Sequence, residues 1–189
     1  MRSQNLVKRP ERQLTLLFLV LAFSLFQPTA NIAEAGIDGW QRYPFLLRDT
    51  QGAVVSDSQL KGKRVFIDVW AIWCAPCVEA LPKVQSLQSE FQGRSAGVVL
   101  SVHYGTDYGR FGTVANFLEQ NRYKLKVILD PNGMIANRFN RVPNIITLPK
   151  YILLDENGRV VRRFSSLNSY EIGQIRQYLS VSDIPSSAI

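Results

Sequence analysis

The sequence has few of the side chains that bind metals or staple a small fold. It contains one histidine, His103, and two cysteines, Cys74 and Cys77, among 189 residues. A structural zinc site takes four such ligands, and these three side chains cannot supply them. Stability must therefore come from a hydrophobic core, which a chain of this length can build without staples.

Long hydrophobic runs and extremes of composition are missing as well. Hydrophobic residues make up 46% of the chain and charged residues 20%, which are ordinary values for a globular protein. They argue against a disordered chain and against a membrane protein with several spans. The apolar run at residues 14–26 has about 13 residues, whereas a membrane-spanning helix needs about 20.

The first 35 residues have the pattern of a secretory signal peptide. The apolar run is preceded by a basic segment and followed by Ala33-Glu34-Ala35, the small-x-small pattern at which signal peptidase cuts. Because the run is short and Pro28 follows it, we expect a cleaved signal at residues 1–35; the alternative is an uncleaved anchor. The remaining domain, residues 36–189, would be periplasmic or otherwise extracytoplasmic, and it would be soluble after cleavage. Membrane contact would occur only through an uncleaved N-terminal segment.

The charge balance does not point to a nucleic-acid partner. The formal net charge is +7, and after residue 35 no basic cluster beyond Arg162-Arg163 stands out. We therefore expect no nucleic-acid binding and interpret the basic excess as an ordinary solvated surface.

Short periodic segments predict an α/β fold. Residues 43–48 and 53–55 are a predicted hairpin, and two strand–helix–strand crossovers further on require parallel strands. The turn at residues 155–158 predicts a final antiparallel hairpin. We expect a central mixed sheet flanked by helices on both faces, with the first hairpin as an N-terminal extension. The later strands are predicted at residues 64–70, 97–102, 126–129, 151–154 and 159–164, and the helices at 76–91, 112–122, 134–139 and 169–179.

The spacing of the two cysteines favours redox exchange. A structural disulfide here would close a loop of only four residues and stabilise little. Cys74 falls at the predicted N-terminus of a helix, where unpaired N–H groups and the helix dipole stabilise a thiolate and make it the attacking sulfur. Cys77 follows one turn later, close enough to resolve a mixed disulfide formed by Cys74.

The motif Trp73-Cys74-Ala75-Pro76-Cys77 resembles the active-site motif of the thioredoxin superfamily. The resemblance covers most of the chain after residue 35. In detail, the sequence is similar to the TlpA/ResA-like branch, which consists of extracytoplasmic thiol-disulfide oxidoreductases. It implies a thioredoxin-like fold. The other matching positions are Pro44-Phe45, Leu47, Asp49, Gly52, Leu60 to Lys63, Val69 to Ala71, Leu148-Pro149, Tyr151 to Leu154, Asp155, Gly158 and Val160.

The resemblance also implies roles for individual positions. Cys74 and Cys77 would be catalytic and would form the redox disulfide. Pro149 matches the cis-proline that packs against the cysteine pair and presents the backbone of the preceding residue, here Leu148, to an extended substrate. Trp73 would complete the substrate-binding surface.

Asp68 lies six positions before Cys74 and matches the buried acid of thioredoxin. A carboxylate in an apolar strand should have a raised pKa because of desolvation, which suits a proton acceptor that helps to deprotonate Cys77 through a water. The alternative is a strand-end acid that faces solvent. His103 is expected just after the second buried strand, where it either borders the site or caps the strand.

Two positions differ from the haem-maturation members of the branch. ResA-like reductases have a glutamate three residues after the second cysteine, where this chain has Ala80, and Glu79 is expected to point elsewhere on the helix. The Gly-Val-x-Gly type of segment before the cis-proline is also missing. The sequence therefore gives no support for specificity toward haem maturation.

We expect an exported protein-disulfide reductase without a cofactor or metal. Its substrates would be protein thiols and disulfides, and its electrons would come from a membrane donor of the DsbD/CcdA type, because the compartment is oxidising. Three alternatives stay open: a disulfide-forming oxidant of the same fold, a binding or chaperone module with an idle disulfide, and a peroxidase. The peroxidase is the weakest, because Ala71 stands where a Thr-x-x-Cys pattern would need threonine.

Overall fold

The computed structural model describes residues 45–105, 113–139 and 145–181. The predicted signal segment lies outside these ranges, as do Pro44 of the first predicted hairpin and Gly112 of the second predicted helix. No helix in the described ranges is long and apolar enough to cross a membrane.

The strands of these ranges form one mixed sheet in the order β2-β1-β5-β4-β3-β6-β7. The pairs β3–β4 and β4–β5 are parallel, and the other neighbouring pairs are antiparallel. The predicted mixed sheet and N-terminal hairpin are both confirmed, and the hairpin extends the sheet beyond β5. The strands are β1 (Leu46–Asp49), β2 (Val54–Ser56), β3 (Arg64–Trp70), β4 (Gly97–Tyr104), β5 (Val127–Asp130), β6 (Lys150–Leu154) and β7 (Val160–Phe164).

Helices cover both faces of the sheet, as predicted. The helices are α1 (Ala75–Phe91), α2 (Val114–Gln120), α3 (Met134–Arg138) and α4 (Ser169–Ser180). Apolar side chains of α1, α2 and α4 pack in one core cluster, and those of α3 pack in the other. The connection from β3 to β4 contains α1, and the connection from β4 to β5 contains α2. Both connections step in the same direction across the sheet, so right-handed crossovers place the two helices on the same face.

Most element boundaries differ from the prediction by one to three residues, and two of the differences have a clear physical reason. β4 continues past Val102 and includes His103, because His103 pairs with both Trp70 of β3 and Leu129 of β5. The expectation that His103 follows the strand was therefore wrong, and its side chain is buried. α2 ends before Arg122, whose φ of 57° lies in the left-handed region and cannot continue a right-handed helix.

β3 runs through the middle of the sheet and leads into the cysteine motif. Phe66 and Trp70 pack in the cluster that contains α1, whereas Ile67 and Val69 pack in the opposite cluster. Because successive side chains on a strand point to opposite faces, Asp68 points to the α1 side.

Candidate redox site

The cysteine pair lies where β3 passes into α1. Cys74 is the N-cap residue of α1, and Pro76 occupies the first turn, where its missing N–H leaves no helical bond unmade. Cys74 and Cys77 form a disulfide with a Cα–Cα distance of 5.3 Å. Cys74 is 6% exposed and Cys77 is 1% exposed, so Cys74 is the more accessible of the two.

Asp68 is buried beneath this connection, with 1% of its surface exposed. Desolvation raises the pKa of its carboxyl to about 8, and a hydrogen bond from Ser101 acts in the opposite direction. This confirms the expected raised pKa and removes the alternative of an acid that faces solvent. A group with such a pKa can both accept and release a proton near neutral pH.

A chain of buried hydrogen bonds connects Trp70 to Asp68. The Trp70 indole Nε1–H donates to Ser101 Oγ at 2.8 Å, and the Ser101 hydroxyl donates to Asp68 Oδ2 at 3.3 Å. Ser101 lies on β4 directly opposite Asp68 in the parallel register. Sequence reasoning missed Ser101; its one signal was a single hydroxyl in the otherwise apolar run at residues 97–102.

The Leu148–Pro149 peptide bond is cis, as predicted. The sheet brings this peptide bond to the end of β3 that leads into the cysteine motif. Lys150 pairs with Val69 in the antiparallel register, so Pro149 falls beside the last residue of β3. Leu148 is partly buried and packs against both core clusters.

Two aromatic side chains border this region in different ways. Trp73, directly before Cys74, is 56% exposed, so its apolar ring lies largely in solvent. Trp70 is wholly buried and meets His103 edge-on, with 5.1 Å between the ring centroids. His103 is therefore a buried neighbour of the Trp70 ring and does not cap the strand.

The helix positions after Cys77 agree with the sequence interpretation. Ala80 is buried in the core cluster that contains both cysteines, whereas Glu79 is exposed. Pro82 lies inside α1, five positions after Cys77. Glu79 therefore does not replace the glutamate that ResA-like reductases carry at the next position.

The arrangement can exchange a dithiol for a disulfide, and the described residues offer little else. Among them, no group of three or more His, Cys, Asp or Glu side chains could hold a metal ion. The reactive groups of this region are the two sulfurs at the start of α1 and the Asp68 carboxyl on the α1 side of β3.

Comparisons with known proteins show the family and the fold of this chain. The profile of the family described as Redoxin matches residues 28–179. The thiol-disulfide oxidoreductase ResA of Bacillus cereus is 27% identical over 159 residues, which covers 84% of this chain and 86% of ResA. The exposed lipoprotein thioredoxin Etrx1 of Streptococcus pneumoniae superposes with a TM-score of 0.56 at 26% identity, over 72% of this chain and 97% of that one.

StoA of Bacillus subtilis supports the fold alone, because its identity is lower. It superposes with a TM-score of 0.55 at 24% identity, over 71% of this chain and 95% of StoA. Together these matches confirm the predicted thioredoxin-like fold and the resemblance to the ResA-like branch.

Proposed function

This chain belongs to the Redoxin family, and on that premise we propose that its Cys74–Cys77 couple reduces protein disulfides outside the cytosol. The protein is a thiol-disulfide oxidoreductase of the ResA/thioredoxin type. The observation that carries the proposal is the disulfide at the first turn of α1, in which the N-cap residue Cys74 is the more exposed of the two cysteines.

The first chemical step is attack by the Cys74 thiolate on a substrate disulfide. One substrate sulfur becomes bonded to Cys74 Sγ, and the other leaves as a thiolate that takes a proton from solvent. The N-terminal N–H groups of α1 and its dipole stabilise the negative charge on Cys74 before the attack.

The second step closes the enzyme disulfide. Cys77 gives its thiol proton to the Asp68 carboxylate through a water, and the resulting thiolate attacks Cys74 Sγ. The second substrate sulfur leaves as a thiolate that takes a proton from solvent, and Asp68 then returns the Cys77 proton to solvent. Two electrons pass from the enzyme dithiol to the substrate, which leaves as a dithiol.

Pro149, Leu148 and Trp73 form the proposed substrate-binding surface. An extended substrate segment would bond to the Leu148 backbone beside the cis-proline, while Trp73 supplies exposed apolar area. Backbone pairing of this kind tolerates many side chains, which suits an enzyme that acts on several proteins.

Export and the electron source complete the proposal. The signal pattern of residues 1–35 supports an extracytoplasmic location, and Etrx1 is itself described as exposed. A reductant in an oxidising compartment needs continual re-reduction, so we propose a membrane electron donor of the DsbD/CcdA type.

Trapping of covalent partners tests the proposal. Cys77→Ser removes the resolving thiol, so mixed disulfides should accumulate on Cys74, and Cys74→Ala should accumulate none and should not reduce insulin disulfides. The double variant Cys74→Ala/Cys77→Ser is the control for non-covalent capture. Full function of Cys74→Ala would instead identify a binding module with an idle disulfide, and peroxide turnover faster than insulin reduction would identify a peroxidase.

A further inference from the structure

Three neighbouring side chains on the α1 face of the sheet form a hydrogen-bond chain with a fixed direction. Trp70, Ser101 and Asp68 are each almost wholly buried, so solvent does not compete for their hydrogen bonds. An indole nitrogen can only donate, and it donates to Ser101 Oγ at 2.8 Å. Ser101 therefore uses a lone pair toward Trp70, and its single hydroxyl hydrogen remains for Asp68.

This direction favours the ionised form of Asp68. A hydroxyl that donates to a carboxylate makes a charge-assisted bond, which is stronger and shorter than a neutral one. The present Oγ–Oδ2 distance of 3.3 Å is longer than the roughly 2.5–2.7 Å of such bonds, so the contact can tighten when the proton leaves.

We propose that Ser101 is a positioning residue for Asp68: held by the Trp70 indole, it directs its hydroxyl hydrogen at the carboxylate that exchanges a proton with Cys77. The link to Cys77 rests on the proposed function, whereas the link between Ser101 and Asp68 stands on the hydrogen bonds alone. Ser101 touches neither substrate nor sulfur in this account and acts through Asp68.

Among the groups around Asp68, Ser101 is the one that lowers the pKa of its carboxyl. Tyr151 of β6 pairs with Asp68 in register, and its own pKa is raised by burial, by Asp68 and by Glu171 of α4. The same face also holds Cys77 of α1, which is bonded in the disulfide, and His103 of β4, whose ring meets the Trp70 ring edge-on at 5.1 Å between centroids. Burial is the larger influence on the pKa of Asp68, and the Ser101 hydroxyl is the group that opposes it.

The test follows the carboxyl carbon of Asp68 by NMR in oxidised, full-length protein with labelled aspartate; Asp68→Asn identifies the signal. Ser101→Ala should raise the titration midpoint by about one pH unit, since it removes a hydrogen bond to the charged form. Ser101→Thr keeps the hydroxyl and should restore the wild-type midpoint. An exposed serine, Ser58→Ala, is the matched control and should leave the midpoint unchanged.

A second measurement needs no variant that could fail to fold. In the wild-type protein, the indole N–H resonance of Trp70 should titrate with the midpoint of Asp68, because Ser101 connects the two groups. An unchanged carboxyl midpoint in Ser101→Ala, or an indole resonance that does not follow Asp68, would overturn the proposal.

Kinetics separate this proposal from the function on which it rests. In Ser101→Ala the attack of Cys77 on the mixed disulfide should slow about tenfold at pH 7 and approach the wild-type rate at high pH, as a one-unit rise in midpoint requires. If the carboxyl midpoint moves and this rate profile does not, Ser101 positions Asp68 but Asp68 is not the proton acceptor of Cys77. In that case the proposed proton step fails and the Ser101 assignment stands.

Discussion

At the scale of the residue, the fold strongly changes the acid–base chemistry of Asp68. It lies on a strand buried on both faces, and burial raises the pKa of its carboxyl from 3.8 to about 8. The unfolded chain releases this proton near pH 4, whereas the folded protein keeps it until about pH 8. Across that window the folded state binds more protons, so the free energy of unfolding falls as the pH rises.

Replacement of Asp68 by asparagine should therefore stabilise the oxidised protein at alkaline pH. Relative to the wild type, we expect the gain of Asp68→Asn to grow from pH 4 to pH 8 and to level off above, reaching on the order of 5 kcal/mol. Urea unfolding of both proteins at several pH values measures it. A difference between the two proteins that does not change with pH would show that Asp68 ionises normally.

At the scale of the element, the start of β4 is packed against the ends of two helices. A Cβ on Gly97 would lie 2.6 Å from the Leu179 carbonyl oxygen of α4 and 3.0 Å from Phe91 Cδ1 of α1. Gly173, within α4, has open space around the same position. A substitution at Gly97 therefore tests close packing, whereas one at Gly173 tests helix propensity alone.

Gly97→Ala should destabilise the protein by about 1–3 kcal/mol, because backbone atoms must shift to admit the methyl group. Gly173→Ala should stabilise it by about 0.5–1 kcal/mol, since alanine is the better helix former. Urea midpoints of the two variants and the wild type provide the comparison. Equal effects of the two substitutions would contradict the close approach of β4 to the helix ends.

The element scale also shows what sequence could and could not predict. β3 was predicted with its observed bounds because a run such as RVFIDVW is typical of a strand buried on both faces. The end of β4 was missed because His103 and Tyr104 are polar, and their place in the sheet depends on pairing with β3 and β5. The partnership of Ser101 with Asp68 likewise depends on the register between two strands 33 residues apart, which no local pattern contains.

At the scale of the whole molecule, the sheet order explains how distant segments meet at one edge. β3 and β4 are parallel, so Trp70 and His103 lie side by side near the carboxyl ends of their strands. β6 is antiparallel to β3, so the residues that precede β6 lie at the same end of the sheet. The cysteine motif with its buried acid, the Ser101 hydroxyl and the cis-proline come from three separate parts of the chain. The motif and the proline were predictable from the family resemblance, but the hydrogen bonds that join Trp70 to Asp68 required the assembled sheet.

The direction of electron flow is the central claim, and the reduction potential of the Cys74–Cys77 couple tests it most directly. Equilibration of the protein with thiol–disulfide buffers of known potential, followed by separation of its reduced and oxidised forms, gives the value. A reductant should lie near thioredoxin, at about −270 mV. A value near that of DsbA, about −120 mV, would contradict the account and identify an oxidant on the same fold.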